Sequence, residues 1–266
     1  MEELRQKLDS ILSQYTGRWG IVISKPGSGE TLELNPAMAF PAASMIKVPI
    51  MVEIMRQAAA GLLSLDEMLT ITSEAKVDGA GILKELRSGL TMTIRELITL
   101  MIILSDNTAT NVLIDRIGME AVNRSMVQFG LQATVLRRKM MDFSAARAGN
   151  ENMTSAADLA WLFAGIANAA LGLPPEYSAS MLDILKRQQI RDKLPFFLPE
   201  ELIIAHKTGT LAGVEHDAGI LYLPGGPCIV CVLAADLAAN YLGLQLVARI
   251  GKCIYDHYLR RKDNVL

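Results

Sequence analysis

The chain has 266 residues, 51% of them hydrophobic and 20% charged, with a formal net charge of −2. That size and balance suit one large domain or two packed lobes, and exclude both a disordered chain and binding to nucleic acid or anionic membrane through bulk charge. The longest apolar runs, Leu97 to Leu104 and Cys228 to Ala235, are far shorter than the roughly 20 residues a bilayer span needs.

In chain order, Leu4, Leu8, Ile11, Leu12 and Tyr15 recur at helical spacing and predict an amphipathic helix over 2–15. The acidic start Met1-Glu2-Glu3 is unlike a secretory signal, so the expectation is a cytoplasmic chain, or an exported one whose leader has been removed. Two strands follow, Trp19 to Ser24 and Thr31 to Leu34, joined by a turn at Pro26-Gly27-Ser28-Gly29. A helix starts near Ser44 and runs to about Ala60, with apolar residues over one broad side. From 61 to 195 the pattern is helical almost throughout. Ser64 to Glu67 and Thr93 to Glu96 read as capping boxes, Ser155 to Asp158 opens another helix, and Arg137 to Glu151 is a loop.

Strands return at Leu202 to His206, Ala218 to Leu223 and Cys228 to Ala235, with Pro224-Gly225-Gly226 turning the last pair. A final amphipathic helix covers Asn240 to Arg260. Short strand connections imply antiparallel pairing, and neither strand group makes a stable sheet alone. The expected class is α+β: a five-stranded antiparallel sheet flanked by the terminal helices, plus an inserted all-α lobe. Residues 1–60 and 196–266 would form the α/β lobe and 61–195 the α lobe, with a cleft between them. Cys228 and Cys231 form a C-x-x-C, but three residues apart on a strand point to opposite faces, so both read as core and no metal site is expected.

Three short strings carry chemistry. Ser44-Met45-Ile46-Lys47 puts an amine one helical turn from a hydroxyl. Apolar neighbours desolvate that lysine and lower its pKa, which lets it act as a base. The backbone N–H groups of the helix start can hold an oxyanion. A second such spacing, Ser73-Glu74-Ala75-Lys76, lies in a polar stretch and reads as a decoy. Ser105-Asp106-Asn107 ends a buried helix, where Ser105 can relay a proton and the Asn107 amide can bind a carbonyl and Lys47. Lys207-Thr208-Gly209 ends a strand, where a cation and a hydroxyl can grip a carboxylate, Gly209 admits a close approach, and the Thr210 N–H is a second oxyanion donor. Together they supply a nucleophile, a base, a proton-relaying hydroxyl and an anion anchor. Acyl transfer through a serine ester needs that set when histidine is not the base. His206, His216 and His257 are too scattered for a histidine triad.

With these three strings in this order, the chain resembles class A β-lactamases within the penicillin-recognising serine hydrolases, over about residues 18 to 260. The resemblance implies the β-lactamase/transpeptidase-like fold and no cofactor or metal. It implies acylation of Ser44 by a β-lactam carbonyl, with proton handling by Lys47 and Ser105 and amide positioning by Asn107. Lys207 and Thr208 would bind the carboxylate, and the N–H groups of Ser44 and Thr210 would form the oxyanion hole. One departure concerns the loop glutamate that activates the deacylating water in this family. With Arg138 on the family's loop arginine, that position is Met140, and a thioether cannot accept the proton. Asp142 or Glu151 could replace it only if the loop is rebuilt. The expected partner is a β-lactam or peptide-like amide. The alternatives are a D-Ala-D-Ala-type peptidase, another amidase on this scaffold, or a penicillin-binding sensor acylated once.

Overall fold

The computed structural model describes residues 1–223 and 225–263. Helix α1 (Glu2–Leu12) buries Leu4, Leu8 and Leu12, one stripe at i, i+4 and i+8. Strands β1 (Arg18–Lys25) and β2 (Glu30–Leu34) form the expected hairpin. A short strand β3 (Phe40–Pro41) leads to a 3₁₀ turn, Ala43–Ile46, which continues into α2 (Lys47–Ala59). Ten residues of α2 are buried, so it is the central helix; Pro49 sits in its first turn, where the missing N–H costs nothing.

The next segment departs from the helical expectation. Ser64 does not cap a helix: its hydroxyl accepts from the Asp66 N–H in a turn, and strand β4 (Met68–Ile71) follows, paired with β5 (Leu90–Thr93). Glu67 is drawn away from any capping role by Arg116, which it meets through two bonds of 2.6 and 2.8 Å. Thr93 does cap α3 (Ile94–Ile103) with both halves of the box present. Helices α4 (Asn107–Ile117), α5 (Met119–Gln128) and the short α6 (Phe143–Arg147) follow, then β6 (Met153–Thr154), which pairs with β3. Ser155 accepts from the Asp158 N–H and opens α7 (Ala156–Ala167), ahead of α8 (Pro175–Lys186).

Strands β7 (Ile204–Leu211), β8 (Val214–Leu223) and β9 (Gly226–Ala235) and helix α9 (Asn240–Asp263) complete the chain. Pro224, read as part of the last turn, lies outside the described residues. The sheet has the order β2-β1-β9-β8-β7 and is antiparallel throughout, as expected. Each face covers its own core. Along β9, Ile229, Cys231 and Leu233 join the core shared with α2, α3, α7 and α8, while Cys228, Val230 and Val232 join the core shared with α1 and α9. The two cysteines therefore point to opposite sides, and all three cysteines are free thiols. Strand β7 starts at Ile204 instead of Leu202 and runs past His206 to Leu211, and β8 starts at Val214, ahead of Ala218, because Lys207, Glu215, His216 and Asp217 are buried with partners inside the sheet.

Candidate active site

The three strings meet at one cleft. Ala43, one residue ahead of Ser44, is held at φ +46, in the left-handed region where a side chain is strained. This bend starts the 3₁₀ turn and leaves Ser44 half-buried on the lining of a cavity of about 440 Å³. Gly209 of β7 lies against that turn: a Cβ there would come within 3.2 Å of Ala43 Cβ and 3.3 Å of the Ser44 nitrogen. The glycine thus brings the strand up against the Ser44 turn.

Lys47 is fully buried, and its Nζ lies 2.6 Å from the Ser105 carbonyl, 3.0 Å from Ser105 Oγ and 2.9 Å from Asn107 Oδ1. Burial lowers its pKa to about 7, against a smaller opposing pull from Asp106. Two of those partners can only accept, whereas the hydroxyl can do either. A neutral amine satisfies both acceptors with its two N–H groups and keeps a lone pair for a hydroxyl proton. Lys207 reaches the same hydroxyl at 3.1 Å and the Thr208 carbonyl at 2.7 Å. Burial first, then the charges of Lys47 and Lys193, depress the Lys207 pKa well below the usual lysine value. Ser105 Oγ therefore sits between two amines and can pass a proton either way.

Ser105 adopts φ +56, which turns its side chain inward as α3 ends. The carbonyls freed at that helix end are taken up: Gln188 Nε2 donates to Ile102 O at 2.8 Å, and the Gln189 N–H donates to Ile103 O at 3.1 Å. Asp106 works as scaffold. One carboxylate oxygen caps α4 through the Ala109 N–H, and the other accepts from the Ile82 and Leu83 N–H groups at 2.7 and 2.9 Å. That fixes the cleft wall at Gly79 and Ala80, where Asn107 Nδ2 donates to Asp78 O.

On β7 the strand alternation separates the predicted residues. Lys207 and Gly209 face the core of α2 and α3, buried Thr208 lies on the opposite face, and exposed Thr210 lines the cleft. The Tyr222 N–H donates to Ile203 O, so odd-numbered residues of β7 turn their backbone groups to β8 and even-numbered ones outward. The Thr210 N–H is therefore directed off the sheet edge, toward the Ser44 turn. His216 is structural: its Nδ1 accepts from the Ala234 N–H, its Nε2 donates to Pro41 O, and burial lowers its pKa to about 4. The decoy Ser73 is exposed and engages Glu74, and Lys76 bonds the Leu86 carbonyl.

The profile of the beta-lactamase enzyme family matches residues 3–258. This chain belongs to the beta-lactamase enzyme family. Among relatives, β-lactamase VEB-1 of Pseudomonas aeruginosa is 24% identical over 278 residues, spanning 98% of this chain and 92% of that protein. A β-lactamase from Sphaerobacter thermophilus DSM 20745 superposes with a TM-score of 0.85 at 30% identity, over 94% of each chain. PBP-A, in a leucine-to-glutamate variant trapped as an acyl-enzyme with penicillin G, superposes with a TM-score of 0.89 at 30% identity, over 98% of this chain and 97% of that one.

Residues 136–152 form the loop that closes one side of the cleft. Three asparagines, invisible as a set in the sequence, hold it. Asn123 bonds both backbone groups of Leu136, and Asn152 accepts from the Arg137 and Arg138 N–H groups while donating to Arg138 O. Asn111 accepts from the Met140 N–H at 2.8 Å and donates to Met140 O at 3.1 Å. Met140 lines the cleft with Met141 and Phe143. Neither candidate for the deacylation base lies on that lining. Asp142 is exposed and caps α6, its pKa lowered by the Ala145 N–H and then the Ser144 hydroxyl. Glu151 is held by Arg138 at 2.7 Å and by the Asn152 N–H. The loop is pinned, not rebuilt to bring either carboxylate in.

Proposed function

We propose that this chain is a class A-like serine β-lactamase that acylates rapidly and deacylates slowly. The observation that carries the reading is the single Ser105 hydroxyl shared by the Lys47 and Lys207 amines beside the Ser44 cleft. Ser44 Oγ attacks the lactam carbonyl carbon and gives its proton to neutral Lys47. The Ser44 and Thr210 N–H groups hold the oxyanion. Lys47 passes the proton through Ser105 to the ring nitrogen, the C–N bond breaks, and an ester on Ser44 remains. Asn107 positions the substrate amide, and Lys207 anchors its carboxylate; Thr208, expected to share that role, turns its side chain to the other face of β7. The cleft between the lobe of 1–60 and 196–266 and the lobe of 61–195 holds the substrate, and the chemistry uses only protein groups.

Hydrolysis of the ester then lacks a carboxylate among the lining residues, where Met140 stands instead. That favours, as the second reading, a penicillin-binding protein of peptidase or sensor type that holds the acyl group. Among the described residues no helix is long and apolar enough to cross a membrane. A chromogenic cephalosporin and intact-mass analysis after penicillin exposure test both readings. We expect one equivalent of adduct, absent in Ser44→Ala, and slow steady turnover after a stoichiometric burst. A persistent adduct without turnover selects the second reading; neither adduct nor turnover refutes both.

A further inference from the structure

Between the tips of β7 and β8 and the start of α9, four side chains form a polar cluster that the steps above do not use, buried at Lys193 and Glu215 and reaching the cleft lining at Thr210 and Asn240. Lys193 and Glu215 are 1% and 2% exposed and lie 2.8 Å apart. Lys193 Nζ also donates to Thr210 Oγ1 at 2.9 Å and to Gly209 O at 3.2 Å. The Thr210 hydroxyl gives its own proton to Glu215 Oε2 at 2.8 Å. The other Glu215 oxygen accepts from Asn240 Nδ2 at 2.7 Å. That amide also donates to Leu211 O at 2.7 Å, while its oxygen accepts from the Gly213 N–H at 3.1 Å. Helix α9 comes this close because residue 243 is glycine; a Cβ there would lie 2.7 Å from Glu215 Cβ.

Stability is a poor account of such a cluster, since a buried ion pair returns little beyond the cost of desolvating it. Its location gives a better one. Strand β7 is the sheet edge, its outward N–H groups have no ladder partner, and β7 and β8 are joined by only Ala212 and Gly213. A strand tip at a free edge is where a sheet flexes, yet an oxyanion donor must be held to a fraction of an ångström. The cluster ties that tip at the Gly209 and Leu211 carbonyls, at the Gly213 N–H and at the Thr210 hydroxyl.

We infer that Lys193 and Glu215 are positioning residues for acyl transfer, which tie down the Thr210 hydroxyl at the cleft edge and so hold the Thr210 backbone N–H at the oxyanion. The inference rests on the Ser44 acylation reading above.

The test uses the full chain and a penicillin labelled with ¹³C at the lactam carbonyl, read by infrared difference spectroscopy of the Ser44 ester. The variant Lys193→Met with Glu215→Leu removes both charges together, so no lone ion is left buried. Thr210→Val keeps the ion pair and removes only the hydroxyl. In both, the ester carbonyl band should move to higher wavenumber and broaden, and acylation kcat/KM should fall about 10- to 100-fold. The pH midpoint of acylation, set by Lys47, should stay in place. A folded variant with the native band overturns the inference alone, and Thr210→Val decides the matter if the double variant does not fold. A native enzyme without any ester band overturns the acylation reading and this inference with it.

Discussion

Replacing Met140 by glutamate tests whether a missing carboxylate is what slows deacylation. Met140 is 7% exposed and lines the cleft with Ser44, and Asn111 holds both of its backbone groups, so a new side chain starts from a fixed point. A positioned general base contributes about 10²- to 10⁴-fold, or roughly 3–5 kcal/mol off the deacylation barrier. Against this, a largely buried carboxylate with incomplete partners costs about 1–3 kcal/mol of folding stability, a fall of a few degrees in Tm. The same desolvation raises the carboxyl pKa toward the range where a base is most useful. The assay is the decay of the acyl-enzyme followed by intact mass, with Met140→Gln as a control of equal shape and no basicity. If Met140→Glu loses its acyl group no faster than Met140→Gln while both acylate normally, the reasoning is refuted.

Acylation kcat/KM should rise from pH 6 to 8 with a midpoint near 7, because burial favours neutral Lys47 and only about one-tenth of it is neutral one unit below its pKa; a flat profile contradicts Lys47 as the base. Buried His216 has its pKa lowered to about 4, so the unfolded chain takes up the proton first as pH drops below the ordinary histidine value of 6.5. Stability should fall by roughly 3 kcal/mol between these two pH values, which urea melts of the native protein and His216→Gln will compare. Gly81→Ala should destabilise by several kcal/mol, about 2–4, because its Cβ would sit 2.2 Å from Asp106 Oδ2 and 2.4 Å from Asp106 Cα at φ +107; an unchanged Tm would contradict this.

The sheet was legible because β1, β8 and β9 carry long apolar runs between Gly and Pro punctuation, and the place of Ser44 on the cleft because it opens an apolar helix. The Cys228 and Cys231 faces followed from strand period alone. The Ser64 helix failed because a capping box is local and its Glu67 is claimed by Arg116, 49 positions away. The ends of β7 and β8 were hidden for a related reason: Lys207, Glu215 and Asp217 look like surface residues until their partners are in place. A signal did exist there, since Glu215 and Asp217 share one face of a strand that is otherwise apolar. The asparagine clamps on the loop left no local pattern, as each acts across 13 to 29 positions.

The sheet divides the molecule into two separately packed cores, and β7 is where both touch the chemistry. Damage to the α1 and α9 side would reach the cleft through the tether of one strand tip, and would register as poorer polarisation of the substrate carbonyl. Damage beneath α2 and α3 would register in the proton relay instead. Remote substitutions in this protein should thus sort by hemisphere, with the kinetic symptom revealing which core was disturbed.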